Sequence, residues 1–147
     1  MKYAWSKLNH LQKGTYGEYM AKMEFSMYGF SVFTSEVDDR GIDFVLRNNR
    51  GQHFDVQVKT ITGTNYTYIT ESKFDENLII CLVILTEGEQ PSMYILTGSD
   101  WKNDKSGLLS QKHFPNAKEP EYGINATKSR VEQLEKYRFE NVVGMFE

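Results

Sequence analysis

The longest apolar run in the chain, LIICLVIL at residues 78–85, is hydrophobic at every position. Such a run, short and without alternation, predicts a strand buried on both faces. It is far too short to span a bilayer. PSMYILTG follows the polar turn TEGEQ and predicts its hairpin partner. Upstream, residues 42–47 and 52–62 alternate in strand fashion around the turn NNRG. Earlier still the period is helical. Over residues 7 to about 29, Leu8, Leu11, Thr15, Tyr16, Tyr19, Met20, Met23 and Met27 form one broad stripe at about 100° per residue. That stripe, with its methionines, reads as core packing. Gly29 suits the helix C-cap, and FSVF then reads as a short strand. TYI either extends the second arm of the hairpin or opens another strand. SDW suggests a helix cap with Trp101 as a lid on the core, and a long polar loop follows from Lys102 to Tyr122. Residues 126–138 predict a closing helix with Val131 and Leu134 facing inward. The expectation is one α+β domain over residues 1–147, with helices packed on a central mixed β-sheet.

Composition narrows the function classes. Hydrophobic residues make up 39% and charged residues 25%, the balance of a globular chain. The net charge of −3 and pI near 5.7 exclude a protein that coats nucleic acid by bulk electrostatics. They leave room for an enzyme that meets phosphate through a bound cation and a few local lysines. The N-terminal segment MKYAWSKLNHLQKG lacks the apolar core of a signal peptide. The lone Cys81 lies inside the apolar run, which fits a reducing, cytoplasmic setting. His10, His53 and His113 are scattered without metal-ligand spacing.

The hairpin at residues 42–62 carries charge in unexpected places. Asp55, Gln57 and Lys59 are two apart and share one strand face, while Phe54, Val56 and Val58 share the other. Asp43 joins the polar face if the connection has odd parity or a bulge shifts the register. A carboxylate and an amide oxygen beside an ammonium suit phosphodiester hydrolysis. A hard cation such as Mg²⁺ takes oxygen ligands and retains waters, and a nearby lysine orients or deprotonates one of them. The competing reading is a structural ion pair between Lys59 and Asp55.

Taken together, GID, the hairpin and QVK resemble the active-site signature of the PD-(D/E)XK nuclease superfamily. The glutamine variant resembles Mrr-type restriction endonucleases and archaeal Holliday-junction resolvases. GEYMAKMEFSMYGFSVF resembles the opening helix and first strand of those families, and LIICLVIL and SMYIL match their continuing strands. The resemblance covers about residues 7 to 100. It implies a restriction-endonuclease-like αβββαβ core and a metal-dependent DNA endonuclease leaving 5′-phosphate and 3′-hydroxyl ends. It implies Mg²⁺ as the cofactor, with Mn²⁺ able to substitute. By position, Asp43 becomes the metal-binding carboxylate, Gln57 lends its side-chain oxygen and the Val58 carbonyl completes the protein ligands. Lys59 becomes the catalytic lysine, and Glu18 orients it or a water. The structural alternative for Glu18 is an i,i+4 pair with Lys22. Ile42 replaces the proline that names the motif, and neutral Gln57 implies weaker Mg²⁺ binding than an acidic residue there. Asp38 and Asp39 supply either outer charge or a solvated turn before the strand.

A chain of this length has little room for a separate sequence-reading domain, so a homodimer or a specificity-providing partner is expected. Two rival readings stay open: a catalytically silent module on the same fold that binds nucleic acid or protein, and an immunity-type interaction protein without divalent-ion response. Tyr66 and Tyr68 are either stacking residues for unpaired bases or ordinary sheet aromatics.

Overall fold

A computed structural model describes residues 1–34 and 41–147; Asp38 and Asp39 lie outside the described residues. Helix α1 (His10–Met27) starts on a reciprocal capping box. The Asn9 side chain accepts the Gln12 N–H at 2.9 Å, and the Gln12 side chain accepts the Asn9 N–H at 2.9 Å. It ends at Gly29, whose φ of 89° is open to glycine at no steric cost. The Gly29 N–H donates to Ser26 O and the Phe30 N–H to Phe25 O, while the Phe25 and Phe30 rings meet edge-on at 5.7 Å. Together these form the Schellman stop and its hydrophobic contact.

Five strands build the main sheet in the order β1 (Ser31–Phe33), β2 (Phe44–Arg47), β3 (His53–Thr62), β5 (Ile79–Leu85), β6 (Ser92–Thr97). β3 and β5 run parallel and the other neighbours antiparallel, so the sheet is central and mixed. The parallel crossover from β3 to β5 passes through β4 (Asn65–Thr70) and a 3₁₀ turn at Glu71–Lys73, where the expected core order has a helix. β5 is buried throughout. Its Ile79, Cys81, Val83 and Leu85 join a core with α1, and Ile80, Leu82 and Ile84 join a second core on the opposite face. This two-sided burial is why the sequence shows no alternation there. Burial also pushes the Cys81 thiol far above its ordinary range, so it stays protonated. Among the described residues no helix is long and apolar enough to cross a membrane.

Three expectations are corrected. Residues 102–122 are not one long loop. They open on the end of α2 (Asp100–Asn103), contain β7 (Leu109–Lys112) and then lead into β8 (Glu121–Ala126). A second sheet forms in the order β4-β8-β7. Its strands are short, β4 and β8 pair over a long sequence distance, and Gly123 breaks the apolar pattern of β8. The closing segment is a 3₁₀ helix at Val131–Tyr137 rather than an α-helix from 126, followed by α3 (Phe139–Val142). Leu134 is fully buried, Tyr137 nearly so and Val131 partly. The three-residue spacing of Leu134 and Tyr137 matches the tighter helix.

The third correction concerns which side of α1 is buried. Gly17, Ala21 and Phe25 face the sheet, whereas Leu11, Tyr19, Met23 and Met27 are 79%, 61%, 68% and 82% exposed. Of the predicted stripe, Leu8 and Met20 pack partly against the core, and the Tyr16 ring meets the buried Trp5 edge-on at 4.9 Å. The cause is close approach. A Cβ at Gly17 would lie 2.0 Å from Thr60 Oγ1 on β3. Small residues let the helix settle on the sheet until Phe25 reaches Phe44 and Phe139, with ring centroids 6.2 and 4.9 Å away. Gly17→Ala therefore should lower unfolding stability by about 1–3 kcal/mol through overpacking, despite the better helix propensity of alanine. Adding Thr60→Ala should recover part of the loss in a denaturant-unfolding cycle. Simple additivity of the two changes would contradict the contact.

Candidate active site at the open edge of β3

The hairpin settles where Asp43 points. Arg47 pairs with His53 and Val45 with Asp55, so the connection 48–52 has odd length and opposed residues carry matching parity. That register ends at Phe44 and Val56, and Asp43 lies one residue beyond it. The Asp43 N–H donates to Val56 O at 2.8 Å, and Asp43 Oδ2 accepts the Val58 N–H at 2.6 Å. β2 begins at Phe44, paired with Val56. Past that point no described residue pairs with the side of β3 away from β5, and the Asp43 carboxylate occupies the first place along it. In an extended strand the N–H and C=O of one residue point the same way, so the Val58 carbonyl faces this same open edge.

A cavity of about 430 Å³ lies there, lined by Asp43, Val58, Lys59, Glu18, His10 and Thr67 among others. α1 covers the opposite sheet face from Lys59, yet Glu18 reaches the cavity at the sheet edge, where among the described residues no strand lies between them. Its carboxylate also pairs with Lys22 at 3.1 Å, so the structural alternative for Glu18 and its place at the cavity hold together. Gln57 is on the expected face but borders an adjoining cavity of about 330 Å³, which shares Lys59 and Thr67 with the first. Asp55 falls outside both. It lines a larger groove, about 960 Å³, with Phe54 and His53. The structure therefore gathers Asp43, Val58, Lys59 and Glu18, sets Gln57 next door and removes Asp55.

Two electrostatic features mark the site. The Lys59 amine is held below its ordinary value of 10.5, chiefly by burial; Asp43 pulls it back up and the positive charge of Lys73 pushes it further down. Gln57 Oε1 is buried without a hydrogen-bond donor. An orphaned amide oxygen of this kind carries a desolvation penalty until a donor or cation meets it. Among the described residues, no three His, Cys, Asp or Glu side chains gather into a metal-binding cluster. A cation held here would depend on the Asp43 carboxylate, neutral oxygens and water. That chemistry fits a hard, hydrated ion better than a soft one.

Sequence reasoning missed His10 and Lys73. His10 sits two four-residue steps before Glu18 on α1, so helical spacing was a usable signal. Lys73 lies in the aperiodic TESKFDEN, and only the path of the crossover brings it beside Lys59.

No family model matches the chain, and no curated protein does. Solved structures do. A Holliday junction resolvase, Hjc, from Archaeoglobus fulgidus superposes with a TM-score of 0.58 over 90% of this chain and 96% of the resolvase, at 14% identity. The bacterial homing endonuclease I-Ssp6803I superposes with a TM-score of 0.53 over 77% of this chain and 85% of its own, at 17% identity. The chain thus has the restriction-endonuclease-like fold of these two structures.

Proposed function

We propose that this protein is a divalent-cation-dependent DNA endonuclease that hydrolyses phosphodiester bonds at the open edge of β3. The observation that carries the reading is the meeting of Asp43, Val58 and Lys59 at one cavity, on a fold shared with two DNA-acting nucleases. Asp43, the Val58 carbonyl and Gln57 Oε1 would hold Mg²⁺ or Mn²⁺. When bound, such an ion supplies Lewis-acid charge at phosphate and lowers the pKa of a coordinated water. The remaining work belongs to the chain. Lys59, partly desolvated and held below its ordinary value, is placed to exchange a proton with the attacking water and to offset charge on the phosphate oxygens. Asp43 opposes full deprotonation of Lys59, which keeps the amine positioned between those two duties. Glu18 orients water on the α1 side, with Lys22 restraining its carboxylate.

The test is a cleavage assay with Mg²⁺ on single-stranded, linear duplex and four-way-junction DNA, the latter two being forms its structural neighbours suggest. Cleavage of at least one form that stops in EDTA supports the proposal. A companion prediction concerns the neutral ligand. Gln57→Glu adds an anionic oxygen at the orphaned position and should tighten Mg²⁺ binding several-fold in calorimetry. Unchanged affinity in that variant would remove Gln57 from the ligand set.

A further inference from the structure

The adjoining cavity is bordered by Gln57, Lys59, Lys73 and Tyr68. None of the roles above uses Lys73 or Tyr68. Lys73 makes no ion pair among the described residues. Glu119, whose carboxylate feels its charge, is engaged by the Ser72 N–H at 2.7 Å. The stem of Lys73 runs against Gly41, where a Cβ would come within 2.8 Å of its Cδ. Glycine there, two residues before Asp43, lets the lysine stem pass close to the segment that carries the carboxylate. Two ammonium groups thus face one cavity, an arrangement that suits a phosphodiester anion.

Tyr68 supplies a different chemistry. Its ring is 45% exposed. It pairs across the second sheet with Gly123, so no side chain stands opposite it. Tyr66 backs it as a near-parallel neighbour, 6.1 Å between centroids and 23° between planes. Tyr66 itself is fixed. Its ring lies over Gly123, where a Cβ would meet it at 2.5 Å, and its hydroxyl donates to the buried Glu121 carboxylate. Lys112 adds a cation 5.8 Å from the Tyr66 ring. A rigid, accessible aromatic beside ammonium groups is the composition of single-strand binding surfaces, where rings stack on bases and lysines meet the backbone.

We infer that the cavity between Lys73 and Tyr68 is a subsite for one unpaired nucleotide next to the scissile phosphate, its base stacked on Tyr68 and its phosphate on Lys73. The inference rests on the nuclease reading, and it deepens that reading: the preferred substrate carries unpaired nucleotides at the cut site rather than continuous duplex.

The experiment is equilibrium binding by fluorescence anisotropy with Ca²⁺ present. One sequence is offered as duplex, as the same duplex with an unpaired stretch, and as single strand. Wild type should bind the two DNAs with unpaired nucleotides more tightly than duplex. Tyr68→Ala should weaken those two by about 5- to 150-fold and leave duplex affinity unchanged, while Tyr68→Phe keeps the wild-type pattern. Lys73→Ala should weaken all three and reduce the slope of log affinity against log salt by about 1, and Lys73→Arg should restore it. Equal effects of Tyr68→Ala on every DNA, or an unaltered salt slope in Lys73→Ala, would overturn the subsite while leaving the nuclease reading standing. Failure of wild type to bind any DNA would overturn both.

Discussion

Lys59→Met should reduce DNA cleavage by about 10²–10⁴-fold, the range for loss of a positioned proton-transfer group. Methionine keeps the length and apolar body of the half-buried stem, so the loss would report the amine and not a collapsed cavity. Mg²⁺ affinity should stay level or rise slightly, because a neighbouring positive charge is removed. Stability should move the other way from activity. The folded-state pKa of Lys59 lies below the ordinary 10.5. Between the depressed value and 10.5 the unfolded chain therefore binds more protons than the folded one, and wild-type stability rises with pH through that window. Below the depressed value the full penalty of the charged, desolvated amine persists. The methionine variant lacks that penalty. It should be more stable than wild type at neutral pH, with the advantage shrinking as pH climbs toward 10.5 in denaturant melts. A variant that cleaves at the wild-type rate under matched metal conditions would remove Lys59 from the chemistry.

The second large effect is expected at Asp43. Its Oδ2 accepts the Val58 N–H, a bond that asparagine can keep through its own Oδ1 while losing the charge. Asp43→Asn is thus a cleaner substitution than alanine. With a net charge of −3, the protein should repel a phosphate backbone unless local cations offset the field. Adding Ca²⁺ at fixed ionic strength should raise wild-type DNA affinity, and Asp43→Asn should erase that gain. The dependence on monovalent salt should barely change, since it reports lysine and arginine contacts with phosphate. A gain that survives the substitution would place the cation elsewhere on the protein.

How much of this was legible in the sequence depended on how local the determining physics was. Gly29 declared the end of α1 because a helix stop needs a positive φ nearby in sequence. The apolar run 78–85 declared β5 because burial on both faces leaves a direct mark. Asp43, Gln57 and Lys59 could be singled out because the two-residue strand period and an odd hairpin connection are local rules. What failed was set by partners far away in the chain. The exposed face of α1 carries the larger apolar residues, so hydrophobicity alone picked the wrong side. The choice was made by Gly17 meeting Thr60, a contact no periodicity encodes. β8 escaped because its pairing with β4 spans a long sequence gap and Gly123 interrupts the pattern, and β7 because its partner is β8. Lys73 entered the site through the crossover path, and Asp55 left it because the strand face it shares with Gln57 runs on into a different groove.

The most direct test of the central claim is a side-by-side cleavage measurement. Wild type, Asp43→Asn and Lys59→Met, each shown to be folded, are incubated with the DNA forms above in Mg²⁺, in Mn²⁺ and in EDTA. The prediction is cleavage by wild type in either cation, none in EDTA, and rates at least about 10²-fold lower in both variants. Cleavage that persists in EDTA or in Asp43→Asn, or no cleavage of any DNA by wild type in either cation, would contradict a cation-dependent active site at the open edge of β3.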